Sequence, residues 1–197
     1  MSPKRIVILD GHPAETSLSR AFAMAYAEAA RGRGHVVRLH HLSEMRFDPD
    51  FGGGGYGNAK PLEPELEALL GDIEWAEHVV LAAPVWWGGL PARLKGLIDR
   101  AFLPGRTFDT RNTTAMGLPA PLLTGRTGRV FLTSDTPNWI YRLFYGSALM
   151  RQLTGQVLGF VGIRPARITH FAGATDAAPE RITRWLRDVR RLGQAAA

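Results

Sequence analysis

The sequence predicts an α/β fold in which one parallel sheet of five strands, in the order 2-1-3-4-5, carries helices on both faces. Three observations lead there. Strand-like and helix-like segments alternate five times along the chain, the pattern of a parallel sheet built by crossovers. Most strands read as apolar runs rather than strict alternations, as strands covered on both faces do. The 197 residues show no internal repeat and no domain boundary, so residues 1–197 are read as one domain with room for a sizeable core. Right-handed crossovers leave few topologies. Five strands suit the order 2-1-3-4-5 better than a six-stranded doubly wound sheet.

Residues 4–10 (KRIVILD) form the first strand, a β-branched apolar run with a polar start. It stops at Gly11-His12-Pro13. A helix begins near Ser17, with Leu18, Phe22, Tyr26 and Ala29 at helical spacing, and Gly32 and Gly34 close it. Residues 36–42 (VVRLHHL) are the second strand. Residues 47–60 include the run Gly52-Gly53-Gly54-Gly55 and read as a mobile loop. A short helix covers residues 64–70, with Leu66, Leu69 and Leu70 inward.

Residues 78–83 (HVVLAA) are the third strand, ended by Pro84. The next helix covers residues 90–102. Leu90, Leu94, Leu97, Ile98 and Ala101 form its apolar stripe, and Pro91 suits its first turn. Residues 107–128 read as irregular. Residues 129–134 (RVFLTS) are the fourth strand, 141–153 a helix, and 167–171 (RITHF) the fifth strand. The last helix covers residues 179–192, with Ile182, Trp185, Leu186 and Val189 inward and Gly193 as its stop.

Composition removes several function classes. There is no cysteine, which excludes disulfides, thiolate metal sites and cysteine nucleophiles and favours a cytoplasmic setting. The apolar run after Met1-Ser2-Pro3-Lys4-Arg5 is too short for a signal-peptide core. No stretch approaches a membrane span, so no membrane insertion is expected. The formal charge is +6, part of it from Arg181, Arg184, Arg187, Arg190 and Arg191. Such a face attracts nucleic acid, membrane surface or anionic cofactors, or is simply solvated. No interleaved aromatics accompany it, so no nucleic-acid partner is expected. A phosphate-rich cofactor also suits a positive protein.

In an open α/β sheet, ligands bind beyond the carboxyl ends of the strands, where the strand order switches. Here that point lies between strands 1 and 3, so three segments matter. In residues 10–19, Thr16, Ser17 and Ser19 set hydroxyls beside the free N–H groups of a helix start, and His12 adds another donor. This is either a phosphate site or a plain helix cap. The motifs GxxxxGK(S/T) and GxGxxG are both absent. In residues 84–90, Trp86-Trp87-Gly88-Gly89 suits a flat aromatic ligand approached by backbone N–H groups, or else fills core space over the next helix. In residues 133–139, Thr133, Ser134, Asp135 and Trp139 put small polar groups and an aromatic on the same rim, which a polar turn would also explain.

Taken together, these segments resemble the flavodoxin-like NAD(P)H dehydrogenase (quinone) family, from Ile6 to about Leu192. The most specific part is residues 83–102, APVWWGGLPARLKGLIDRAF, followed by Leu103-Pro104-Gly105; it is similar to the family's flavin-edge segment, helix and turn. Gly11-His12-Pro13 with Ser17-Leu18-Ser19 resembles the flavin-phosphate loop. Leu158-Gly159-Phe160-Val161-Gly162-Ile163 resembles the segment before the last strand.

The resemblance implies a flavodoxin-like fold and a bound flavin, FMN or FAD with FMN preferred. It also implies NAD(P)H as co-substrate, a quinone-type acceptor and a homodimer. Arginine abundance leans toward the 2′-phosphate of NADPH. The flavin phosphate would rest on His12, Thr16, Ser17, Leu18 and Ser19. Pro84, Val85, Trp86, Trp87 and Gly88 would flank the isoalloxazine, and Thr133, Ser134 and Asp135 would lie along its other edge.

One stretch departs from the pattern. Members close to the mammalian-type quinone reductases carry Thr-Thr-Gly-Gly after strand 4, then a tyrosine and a histidine that assist hydride transfer. This chain has Thr133-Ser134-Asp135-Thr136-Pro137 and no histidine between His78 and His170. Tyr141 and Tyr145 are the nearby tyrosines, candidates for that role or for packing. With Trp139 and Phe144 they form an aromatic cluster suited to a dimer interface. Two alternatives share the fold: a one-electron flavodoxin-like carrier, which the basic charge disfavours, and a flavin-binding regulatory subunit of a potassium-efflux system.

Overall fold

The parallel sheet is assembled from strands far apart in sequence, in a computed structural model that describes residues 2–197. In chain order the strands are β1 (Arg5–Asp10), β2 (Val36–His41), β3 (His78–Pro84), β4 (Phe108–Thr113), β5 (Pro119–Pro121), β6 (Arg126–Ser134) and β7 (Ile163–Ala172). The sheet runs β2-β1-β3-β6-β7 with every pairing parallel. This is the order read from the sequence, with β6 and β7 as its fourth and fifth strands. Every residue of central β3 is buried, as its unbroken apolar run requires.

The helices are α1 (Leu18–Arg31), α2 (Pro64–Trp75), α3 (Ala92–Ala101), α4 (Asn138–Leu143), α5 (Ala148–Arg151), α6 (Leu158–Val161) and α7 (Pro179–Ala195). Side chains alternate across each strand, so β1 feeds two cores. Ile6 and Ile8 meet Phe22 and Tyr26 of α1 and Val189 of α7. Val7 faces the other way, toward Leu66 and Leu69 of α2 and Leu94 and Leu97 of α3. Among the described residues no helix is long and apolar enough to cross a membrane.

Several boundaries depart from the sequence reading, each for a local reason. Residues 107–128 are not wholly irregular: β4 and β5 pair antiparallel inside them. The single helix expected over residues 141–153 is broken. The chain turns at Gly146 (φ 54°) and Ser147 (φ 52°), then passes through α5, a π-helical turn (Gln152–Val157) and α6. β7 begins at Ile163 rather than Arg167, because an edge strand tolerates Pro165, whose missing N–H would break a central ladder.

The glycine-rich stretch of residues 47–60 is anchored at several points. Arg100 of α3 is fully buried and donates to Asp48 O, to Pro61 O (2.7 Å) and to Glu63 Oε2 (2.8 Å). Lys60 Nζ donates to Asp48 Oδ2 (2.6 Å), and Gly52 bridges Ala59. The glycines are plain in the sequence; the arginine that closes over them lies some fifty residues away on α3.

His78, at the start of β3, is 1% exposed. Its Nδ1 lies 2.6 Å from Thr127 Oγ1, and burial, the largest influence, pushes its pKa down to about 3. The unfolded chain takes up this proton near pH 6.5 while the folded chain refuses it, so stability falls as pH drops from 6.5 toward 3. Between pH 7 and pH 5 the His78→Gln variant, which keeps a partner for Thr127, is expected to lose about 2 kcal/mol less stability than the native chain. Denaturant unfolding at the two pH values checks this; equal losses would refute it.

Candidate functional site

Three strand ends, β1, β3 and β6, open on one side of the sheet, and the loops leaving them form a cleft. The first loop is held from below by Asp10. Its side chain is fully buried; Oδ1 accepts from the His12 N–H (3.2 Å), and Oδ2 lies 3.1 Å from His41 Nδ1 at the end of β2. Gly11 donates to Ala82 O (2.8 Å) and is pressed against α3: a Cβ there would lie 2.5 Å from Leu94 Cδ2. Any larger residue there would have to push the Leu94 side chain aside. His12 Nδ1 accepts from the Ala14 N–H (3.0 Å), which leaves the ring proton on Nε2 as a donor. The ring stands edge-on to Trp86, with centroids 5.4 Å apart.

The loop delivers the chain into α1. Ser17 is the N-cap, its Oγ accepting from the Arg20 N–H (3.0 Å), so the capping reading of this residue holds. Ser19 is different. It is 1% exposed, and its Oγ is buried without a hydrogen-bond partner. An unmet buried hydroxyl costs free energy, and this one sits in the first turn of a 14-residue helix, where backbone N–H groups and the positive dipole end favour an anion.

The second loop leaves β3 at Pro84. Val85 N–H donates to Thr133 O (2.8 Å), tying it to β6. Trp86 and Gly89 then exchange two backbone hydrogen bonds (3.0 and 2.9 Å) across the turn Trp87-Gly88. Both turn residues have positive φ, 51° and 75°, the pattern of a type I′ hairpin turn. Trp86 is 44% exposed and Trp87 wholly exposed, so neither fills the core. Positive φ at tryptophan is strained. Trp87→Asn, which creates the preferred Asn-Gly pair, is expected to stabilise the protein by about 1 kcal/mol. A melting temperature that fails to rise would contradict this.

The third loop leaves β6 at Ser134. Ser134 Oγ lies 2.7 Å from His170 Nε2 on β7. Asp135 accepts from Thr175 twice, through the N–H (2.8 Å) and Oγ1 (2.9 Å), and these bonds hold its carboxyl below the usual range. The β6 loop is thereby latched to the loop after β7.

The cleft among these loops has a volume of about 280 Å³. His12, Thr16, Ser17, Leu18, Ser19, Pro84, Val85, Trp86, Thr133, Ser134 and Asp135 all line it. Trp87 and Gly88 do not; their turn projects past the rim. Ala174 and Thr175 line it as well and were missed. Their signal was faint: a Gly-Ala-Thr segment following the fifth strand on the same side of the sheet. Tyr141 and Tyr145 are not among the lining residues. Tyr141 is 3% exposed, and burial pushes its hydroxyl pKa up; Tyr145 is 59% exposed.

A larger hollow of about 520 Å³ lies between α3 and the π-helical turn, walled by Phe51, Tyr56, Phe108 and Phe160. Among the described residues no buried, unpaired polar side chain lines it, whereas the smaller cleft has Ser19. Among the described residues no His, Asp or Glu cluster is arranged to hold a metal ion. The smaller cleft offers an anion seat at one end and two walls, one aromatic and one polar, at the other. A phosphate-bearing flat ring, as in FMN, matches both parts.

Residues 4–192 match a protein family described as having a flavodoxin-like fold. An FMN-dependent NADH:quinone oxidoreductase of Nitratidesulfovibrio vulgaris is 28% identical over 196 residues, covering 89% of each chain. An enzyme of the same name from Cereibacter sphaeroides is 36% identical over 97 residues, 49% of this chain and 45% of its own. The chain spans about half the length of the first curated relatives it matches. Among solved structures, the NAD(P)H:quinone oxidoreductase from Methanothermobacter marburgensis superposes with a TM-score of 0.80 at 22% identity, covering 98% of this chain and 96% of that one. The chain belongs to the flavodoxin-like fold family.

Proposed function

We propose that this member of the flavodoxin-like fold family binds FMN in the cleft and acts as an NAD(P)H:quinone oxidoreductase. The observation that carries the proposal is Ser19, a buried hydroxyl without a partner at the N-terminus of α1. A phosphate oxygen seated there completes it. FMN rather than FAD is supported by the relatives named FMN-dependent.

The chain's own residues divide the work. Ser19, Thr16, the first N–H groups of α1 and His12 Nε2–H hold the phosphate, with the helix dipole adding to the attraction. Pro84, Val85 and Trp86 wall one side of the ring site, and Thr133 to Asp135 the other. FMN held there would supply the redox chemistry, two-electron hydride exchange between a nicotinamide donor and a quinone-type acceptor. The protein orients the reactants and sets the local field. No side chain in the cleft need act as acid or base: of the two titratable residues that line it, His12 is held by the Ala14 N–H and Asp135 by Thr175. One open face used in turn by donor and acceptor implies ping-pong kinetics.

Trp139, Leu143, Phe144 and Tyr145 stand exposed together on and after α4, 59–74% accessible. We place a homodimer contact there, and sedimentation that finds only monomer would refute it. For the activity, apo-protein incubated with FMN is expected to turn yellow and to oxidise NADH or NADPH rapidly when menadione is present, with parallel double-reciprocal plots. A protein that stays colourless overturns the proposal. A yellow protein that leaves NAD(P)H untouched would be an electron carrier instead.

A further inference from the structure

Behind Ser134, in the polar wall of the cleft, lies a histidine that the proposed chemistry does not use. His170 sits on β7 beside Leu132 of β6. Its Nε2 is 2.7 Å from Ser134 Oγ, and its Nδ1 is buried with no partner. The Tyr141 ring packs on it, centroids 5.1 Å apart. Ser134 Oγ also lies 3.4 Å from Thr136 O, a long contact, and Ser134 lines the cleft.

The ring proton has two placements. On Nδ1 it would be a buried N–H with nothing to receive it, and Ser134 would spend its own hydrogen on Nε2. On Nε2 it is donated to Ser134 Oγ, and the Ser134 hydrogen stays free for another acceptor. The second placement makes two hydrogen bonds where the first makes one, and it leaves no buried donor unmet. Burial also lowers the His170 pKa, which keeps the ring neutral and this arrangement intact at neutral pH.

We propose that His170 is a positioning residue: by donating to Ser134 Oγ, it turns the Ser134 hydroxyl into a hydrogen-bond donor directed at the polar edge of the flavin ring. The long contact to Thr136 is the bond that a ring oxygen or nitrogen replaces. A donor at that edge stabilises the electron-rich reduced ring more than the oxidised one. The inference rests on FMN occupying the cleft.

The test compares Ser134→Ala, His170→Leu, His170→Gln and the Ser134→Ala/His170→Leu double variant. Each apo-protein, the unaltered one first, is titrated with FMN, and the two-electron midpoint potential of the loaded form is then measured. Ser134→Ala and His170→Leu are each expected to weaken the preference for reduced over oxidised FMN about tenfold, a fall of about 30 mV. The double variant should fall no further, and His170→Gln, which retains an N–H donor, should recover most of the shift. Unchanged potentials in FMN-loaded variants, or a double-variant shift equal to the sum of the two, would overturn the inference and leave the flavin site standing. Failure of the unaltered protein to bind FMN would overturn both, and it is read separately, in the first titration.

Discussion

Ser19→Ala is expected to weaken FMN binding about ten- to a hundredfold, the worth of one hydrogen bond to a charged phosphate, while the apo-protein folds as well as before or better. The two halves of this result belong together. In the free protein the Ser19 hydroxyl is buried and unpaired, so removing it removes a desolvated group that the fold does not use. Ser17→Ala should behave differently. Ser17 caps α1 through the Arg20 N–H, and its loss should cost the apo-protein about 1 kcal/mol. Fluorescence titration of FMN, set beside thermal unfolding of each apo-form, separates the two serines. A Ser19→Ala protein with native affinity and reduced stability would mean that the hydroxyl has a structural task and no ligand.

Arg100→Leu is expected to destabilise the protein by about 3–5 kcal/mol. Its guanidinium is fully buried and serves two carbonyls and the Glu63 carboxylate. Leucine fills part of the volume but leaves those acceptors facing an apolar side chain. Burial alone would raise the Glu63 pKa, but the Asp48 N–H and Arg100 together hold it below its ordinary value. A carboxyl with a lowered folded pKa contributes stability above the unfolded pKa and loses it as pH falls through the folded one. The gap between native and Arg100→Leu proteins should therefore narrow below about pH 4. Urea unfolding at neutral and acid pH checks both magnitude and direction. A gap that stays constant with pH would mean that the carbonyls, not the ion pair, carry the effect.

The sheet was legible because each central strand is an apolar run closed by a turn signal. HVVLAA before Pro84 can hardly be other than a strand buried on both faces. The loops that line the candidate cleft were legible because strand order points to one end of the sheet before any residue there is known. What stayed hidden depends on contacts distant in sequence. Arg100 lies on a helix whose pattern shows only that it is amphipathic, and nothing local reveals that it reaches Asp48 and Glu63. His170 reads as one polar residue in a short strand until β7 is set beside β6. Asp135, where the resemblance led one to look for a glycine, proves to be the latch to Thr175. The Trp86-Trp87 pair was read as one feature, but the turn divides it: Trp86 enters the cleft wall, and Trp87 is carried out into solvent.

The most direct test of the phosphate seat on α1 compares FMN with riboflavin, the same ring without the phosphate, as ligands of the apo-protein. Calorimetric titration should show FMN binding at least about a hundredfold more tightly, since several N–H and hydroxyl donors at a helix start act on a single anion. Equal affinity for the two would contradict the account, because the ring would then bind without help from Ser19, His12 or the helix that presents them.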